Sequence, residues 1–431
     1  MINEKKILII AHYFPPLNST GARRPEALAN FLARNGSSVV VLTTKKNKLT
    51  HKSNSLLKIK IFECSLLTTS FYDSTSETAV LPVHAANSPA PLVKFKQKFI
   101  NRYLGQLIDP RLPFVFYLAA KIVLNRLTNG KLFRWINDFT DSDVLISTSP
   151  PWTTHLLGLF IAKLLKIPFV VDYRDQFSSN HMFSQTFKGI EVALDRLFCA
   201  HASLVSVVSD PMREYYELLS RSSVITVMNG YDKNQFKALD PGLDLNREFG
   251  NDKIVVRYFG TITADRLMKP LWTALTKCNL NNTYRFEFYG DSLLLENYFS
   301  ENGMMDAIDA RFFKSIPYKE ALKFMRTSDA LLFTETSEVK HASQRGVLTT
   351  KLFEYMASCR PLIAIIDSDT VAGEIISQSG LAITLSIDEL TIGNDLSLFP
   401  SLHSIHANTE FIQKFSRDNQ FSILKEKIDA L

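Results

Sequence analysis

The run Ile7-Leu-Ile-Ile-Ala11, followed at once by His12-Tyr-Phe-Pro-Pro16, is where the reading of this chain begins. Five consecutive apolar residues leave no polar face for water, so the strand they form must be covered on both sides. That is the condition of a parallel strand between two layers of helices. Runs of the same kind recur at residues 39–43, 59–63, 144–147, 169–172, 204–208 and 224–227. A second series follows at 254–259, 285–289, 310–313, 330–333, 362–366 and 381–385, with helical periodicity at 269–277, 318–327, 350–358 and 371–379. Strand and helix in alternation predict an α/β protein built from doubly wound parallel sheets.

The turn-rich Met228-Asn-Gly-Tyr-Asp232 and Asp240-Pro-Gly242 separate the two series and read as an interdomain connection. The expected division is an N-terminal Rossmann-like domain over 1–237, a second over 238–408, and a terminal helix over 409–431. A length of 431 residues exceeds one ordinary core, and 46% hydrophobic with 21% charged residues excludes a disordered or collagen-like chain. Residues 66–92, rich in Ser, Thr, Ala and Pro, read as a long inserted loop.

Cys64, Cys199, Cys278 and Cys359 form no C-x-x-C pair, which argues against a disulfide framework or a structural zinc site and for a reducing, cytosolic compartment. The formal charge of +6 is unevenly spread. Residues 1–200 hold 25 Lys and Arg against 13 Asp and Glu, and the remainder 24 against 30. The basic part suits an anionic surface, and the bland alternative is a solvated basic face. Lys121, Lys163 and Lys166 interrupt the longest apolar stretches, so the sequence offers no spanning helix and any membrane contact is peripheral. Residues 92–135 alternate aromatics with Lys and Arg. They read either as a basic amphipathic surface helix or, better, as a helix turning Phe95, Phe99 and Tyr103 inward.

In parallel sheets ligands meet the carboxyl ends of strands, so the residues just beyond each run are the site candidates. They are His12 and Gly21-Ala22 after the first run, Ser149-Pro-Pro-Trp152 after the fourth, and Arg174-Asp175 after the fifth. In the second series they are Gly260-Thr261 with Arg266 and Lys269. In Arg345-Gly-Val-Leu-Thr-Thr-Lys351-Leu-Phe-Glu354 a glycine-containing loop opens a helix, with Lys351 in its first turn and Glu354 three residues on. A helix N-terminus and an ammonium suit phosphates, and a carboxylate suits ribose hydroxyls. Each segment also has a plainer reading as a turn, an ion pair or an amphipathic helix. His155 reads as a packing histidine, and Asp291 as the cap of the following helix.

Taken in order, Ile9 to Gly21, Ser149-Pro-Pro151, Asp172-Tyr-Arg-Asp175, Asn229-Gly-Tyr-Asp232, Phe259-Gly-Thr261 and Thr350-Lys-Leu-Phe-Glu-Tyr-Met-Ala357 resemble the retaining GT-B glycosyltransferases of family 4 over nearly the whole chain. The resemblance implies two Rossmann-like domains facing a central cleft, with a final helix, marked by Phe415-Ser-Arg417, returning to the first. It implies that the second domain binds a UDP- or GDP-sugar. Glu354 would hold the ribose, Lys351 and Lys269 the diphosphate with Arg266 as understudy, and Ile316 the base through its backbone; Gly260, Thr261 and Leu352 complete the donor set. Gly21 and Ala22 would give backbone N–H groups to the same phosphates, Arg174 and Asp175 would be the catalytic pair, and His12, Ser149 and Trp152 would meet the acceptor.

The basic first half and residues 92–135 point to a saccharide or lipid-linked saccharide of surface-polysaccharide synthesis as the acceptor, and the resemblance implies that no metal or other cofactor is needed. Three positions depart from the family pattern. Gly346 stands where many members hold a second, sugar-contacting glutamate, Thr261 where an arginine often follows the glycine, and Arg174 where members often place a histidine. Two other classes stay open: a nucleotide-sugar epimerase of the same architecture, and a non-catalytic protein bound to the membrane surface. Nucleic-acid binding is disfavoured, since no recognised module appears.

Overall fold

The computed structural model describes residues 4–15, 17, 20–44, 59–64, 69–73, 107, 109, 111–183, 186–237, 253–278, 283–335, 339–385 and 405–431. It divides into two compact units, Met1–Val227 with Phe421–Leu431, and Met228–Gln420. The expected boundary at residue 238, the Asp240-Pro-Gly242 turn, and Phe95, Phe99 and Tyr103 lie outside the described residues.

The first unit carries an eight-stranded sheet in the order β4-β3-β2-β1-β5-β6-β7-β8. Its strands are β1 Lys6–Ala11, β2 Ser38–Thr44, β3 Lys60–Cys64, β4 Thr69–Asp73, β5 Val144–Ser149, β6 Phe169–Tyr173, β7 Leu204–Val207 and β8 Val224–Thr226. All pairs are parallel except β3 with β4. Strand β4 replaces part of the loop expected over 66–92, the rest of which lies outside the described residues. A Ser- and Thr-rich edge strand pairs on one side only, so it lacks the two-sided apolar signature of its neighbours. Within 92–135, the described helix runs from Leu112 to Leu127.

Along β1 the side chains alternate between two cores. Leu8 and Ile10 join Val171, Phe198 and Tyr216 on one face, while Ile7, Ile9 and Ala11 join Leu28, Phe31 and Leu32 of the Thr20–Arg34 helix on the other. The latter core also takes Phe421, Leu424 and Ile428 from the Arg417–Asp429 helix.

The second unit has an entirely parallel six-stranded sheet, β11-β10-β9-β12-β13-β14. Here β9 is Ile254–Phe259, β10 Tyr284–Tyr289, β11 Ala310–Phe313, β12 Ala330–Thr334, β13 Leu362–Ile365 and β14 Ala382–Leu385. Helices Lys269–Cys278, Tyr318–Arg326, Thr350–Ala357 and Val371–Gln378 form where the periodicity places them. Both sheets are therefore doubly wound, and each has a topological switch point where strand order reverses: β1 beside β5, and β9 beside β12. No helix among the described residues is long and apolar enough to cross a membrane.

Candidate functional site

At the first switch point Ala11 pairs with Thr148, so His12 and Ser149 follow neighbouring strand ends. Gly21 is in the first turn of the Thr20–Arg34 helix, and Pro25 sits within it. Because proline has no N–H, the Gly21 carbonyl lacks its i+4 helical donor. The Arg174 guanidinium, just past β6, donates to that carbonyl in its place. Its Nε also donates to Ser149 O at 2.8 Å and its Nη2 to Pro150 O at 3.4 Å. Arg174 thus binds three loops together, while its neighbour Asp175 is exposed. Beneath them Asp172 is buried. It accepts from Thr148 Oγ1 at 2.8 Å and Ser206 Oγ at 3.0 Å, and pairs at 3.4 Å with Arg24, which also donates to Val227 O.

His12 is half-buried, its Nδ1 2.6 Å from Thr44 Oγ1. Both residues line a pocket with Leu42, Arg111, Phe114 and Thr153. Trp152 and Ser149 are buried, the indole against Phe177 and Phe198. His155 lies wholly inside, its Nδ1 2.7 Å from Ser147 Oγ. Burial pushes the imidazole down to about 3, so it is neutral and structural at physiological pH.

The second switch point assembles charge. Gly260 directly follows β9 with φ +129°, and Gly290 directly follows β10 with φ +144°. A Cβ on Gly290 would lie 2.3 Å from Gly260 O. This closeness of backbones leaves room above Gly260 for Lys351, whose Nζ stands 3.5 Å from where a Gly260 Cβ would be. Lys351 rises from the first turn of the Thr350–Ala357 helix, and its Nζ sits 4.0 Å from the centre of the Tyr258 ring. That Nζ is buried with no hydrogen-bond partner among the described residues. Burial and the adjacent Arg266 push it down to about 7, against the pull of Glu335 and Glu354.

Arg266 Nη2 lies 3.6 Å from Glu335 Oε1, and Thr349 N donates to Glu335 Oε2 at 3.4 Å. Burial raises the Glu335 carboxyl, with Arg266 the chief opposing influence. Glu354 is 5% exposed and accepts a 2.6 Å hydrogen bond from Tyr318 OH. The structure thus brings Arg266, Glu335 and Lys351 together on one side of the helix start, with Glu354 one turn on. Lys269 is exposed and stands 5.4 Å over the Tyr298 ring. Thr261 is exposed, Ile316 half-buried, and Leu352 part of the core.

Asp291 does not cap its helix. Ser292 occupies that position without a side-chain bond, and Asp291 uses its carbonyl to accept from Ile262 N. Arg24, Tyr318 and Glu335 escape a reading of local pattern. Only Glu335 carried a signal, an acid placed directly after an apolar strand run. Among the described residues no cluster of His, Cys, Asp or Glu could hold a metal ion.

Two doubly wound parallel sheets, each with a polar switch point, make this a GT-B fold. No family model matches the chain, and no curated protein sequence matches it. Among solved structures it is similar to a sucrose-phosphate synthase from Thermosynechococcus elongatus, with TM-score 0.62 and 13% identity over 99% of this chain and 100% of that one. It is similar to Anabaena HepE in complex with UDP and glucose, at 0.59 and 14% over 99% and 100%. A glycosyltransferase from Rickettsia africae gives 0.58 and 15%, covering 99% of each chain.

Proposed function

We propose that this protein is a retaining glycosyltransferase of the family 4 kind, moving a sugar from a UDP- or GDP-linked donor to a hydroxyl of a saccharide or lipid-linked saccharide in surface-polysaccharide synthesis. The observation that carries the reading is the buried Lys351 ammonium at a helix N-terminus, which has no hydrogen-bond partner among the described residues, with Glu354 one turn further on. A diphosphate supplies the oxygens that Nζ lacks and restores its charge, and the helix N–H groups add to the same field. Glu354, oriented by Tyr318, accepts from ribose hydroxyls. The description of HepE with UDP and glucose supports a nucleotide-sugar donor.

In the reaction the bond from the anomeric carbon to the phosphate oxygen breaks and a bond from that carbon to the acceptor oxygen forms on the same face. The acceptor proton passes to the departing phosphate, whose charge Lys351 and Arg266 stabilise without a metal. Asp175, exposed beyond β6, is the group to hydrogen-bond the reacting hydroxyls, and Arg174 holds its loop. The pocket beside His12 takes the acceptor.

Exposed Phe116, Leu127 and Leu132, among Lys131 and Arg134, suit an anionic bilayer surface. Nucleoside diphosphate release is measured over a panel of nucleotide sugars for wild type and Glu354→Ala. The variant should lose roughly tenfold or more in donor affinity, with product NMR showing a retained glycosidic linkage. Unchanged binding and turnover overturn the site, and failure to sediment with anionic vesicles at low salt overturns the membrane contact.

A further inference from the structure

The β9 and β12 strands pair with Leu331 opposite Arg257, so Gly260 and Glu335 stand at adjacent strand ends, one on each side of the switch point. Glu335 is 3% exposed. Its Oε2 receives Thr349 N, whereas Oε1 has no hydrogen-bond partner among the described residues. The nearest cation, Arg266 Nη2, is 3.6 Å away, beyond hydrogen-bond length. A counter-ion placed only to balance Arg266 and Lys351 should have its lone pairs filled, because each buried acceptor left empty is costly.

We infer that Glu335 is a specificity determinant whose Oε1 accepts a hydrogen bond from a hydroxyl of the transferred sugar, an assignment that rests on the proposed donor site. A carboxylate is acceptor-only when ionised and repels phosphate, so in a nucleotide-diphosphate sugar its partners are hydroxyl or amide donors. The ribose end is served by Glu354, one turn further along the Thr350–Ala357 helix, and by Tyr318, at the start of the Tyr318–Arg326 helix, which donates to it. The second buried carboxylate, on the strand-end side of the Lys351 ammonium, serves the hydroxyls beyond the diphosphate. Arg266, 3.6 Å away, opposes the upward push that burial gives this carboxyl. A donor lacking that hydroxyl leaves Oε1 stranded, so the site rejects it.

The donor found by the release assay is compared with its mono-deoxy analogues and with the bare nucleoside diphosphate, by calorimetry and by steady-state kinetics, in wild type and Glu335→Gln. Wild type should disfavour one deoxy analogue by roughly 10- to 100-fold. Glu335→Gln should keep or tighten binding of the bare diphosphate while losing that discrimination. Should the Gln variant fail to fold, Glu335→Asp, which withdraws the carboxylate by one methylene, is expected to show the same loss. Discrimination equal in wild type and a folded variant overturns the assignment while leaving the donor site standing. A wild-type protein that binds no nucleoside diphosphate removes the functional reading and this inference together.

Discussion

The Gly21 carbonyl, deprived of its helical donor by Pro25, is hydrogen-bonded instead by Arg174, a residue 153 positions away. A strand end and a helix start are thereby locked through one side-chain donor. The same guanidinium reaches the carbonyls of Ser149 and Pro150, so the loops after β1, β5 and β6 share a single fastening.

Replacing Arg174 by methionine should therefore strand three carbonyls and cost about 1–3 kcal/mol, read as a lowered melting temperature. The diagnostic step is the second substitution. Pro25→Ala restores an N–H four residues after Gly21, and in the Arg174→Met background it should recover part of the loss. If Pro25→Ala lowers stability equally in both backgrounds, the compensation between proline and arginine is not real.

Lys351 makes donor binding pH-dependent. Its folded, ligand-free value near 7 lies below the ordinary 10.5, so above pH 7 the ammonium is largely neutral and a diphosphate must bring a proton with it. Affinity for UDP should fall as pH rises through 7 to 9, by at most about tenfold per unit. Calorimetry at pH 8 in buffers of different ionisation heat should register uptake of a proton. The charged groups facing Nζ are Arg266, Glu335 and Glu354, with the Tyr258 ring 4.0 Å away, and Lys351→Met should abolish both effects. For the ligand-free protein the sign reverses. The unfolded chain holds this proton up to 10.5 and the folded one releases it near 7, so stability gains from this group as pH climbs through that window. A UDP affinity flat from pH 6 to 9 contradicts the burial of this amine.

Gly290→Ala should be among the most damaging single changes in the second unit. The φ of +144° alone costs an alanine on the order of 1–3 kcal/mol, and the new Cβ would fall 2.3 Å from Gly260 O, a backbone atom that cannot swing aside. The expected result is a marked drop in melting temperature together with lost nucleotide binding, because Gly260 lies under Lys351. A variant that melts with the wild type and binds UDP as tightly overturns this account of the two strand ends.

The fold was largely legible in the sequence, for a physical reason. Strands such as β13 and residues 7–11 of β1, buried on both faces, are apolar at every position, and that pattern survives without tertiary information. Strand β4 was not legible, since an antiparallel edge strand in a Ser- and Thr-rich stretch carries no such requirement. Lys351 and Glu354 announced themselves because helical periodicity alone puts them a turn apart. Tyr318 is 36 residues from Glu354, and Arg24 is 148 from Asp172; such partners are chosen by how layers stack, which one-dimensional spacing does not encode. The same limit made Asp291 look like a cap when its carbonyl, not its side chain, does the bonding.

Phe421, Leu424 and Ile428 fill the core under β1 beside Phe31, although the whole of the second unit precedes them in the chain. A ribosome delivers residues in order, so the first unit leaves the exit tunnel with that part of its interior unfilled. Throughout translation of the second unit it presents an apolar gap to chaperones and proteases. Release of these late residues, rather than completion of the eighth strand, is the moment at which the first unit can close.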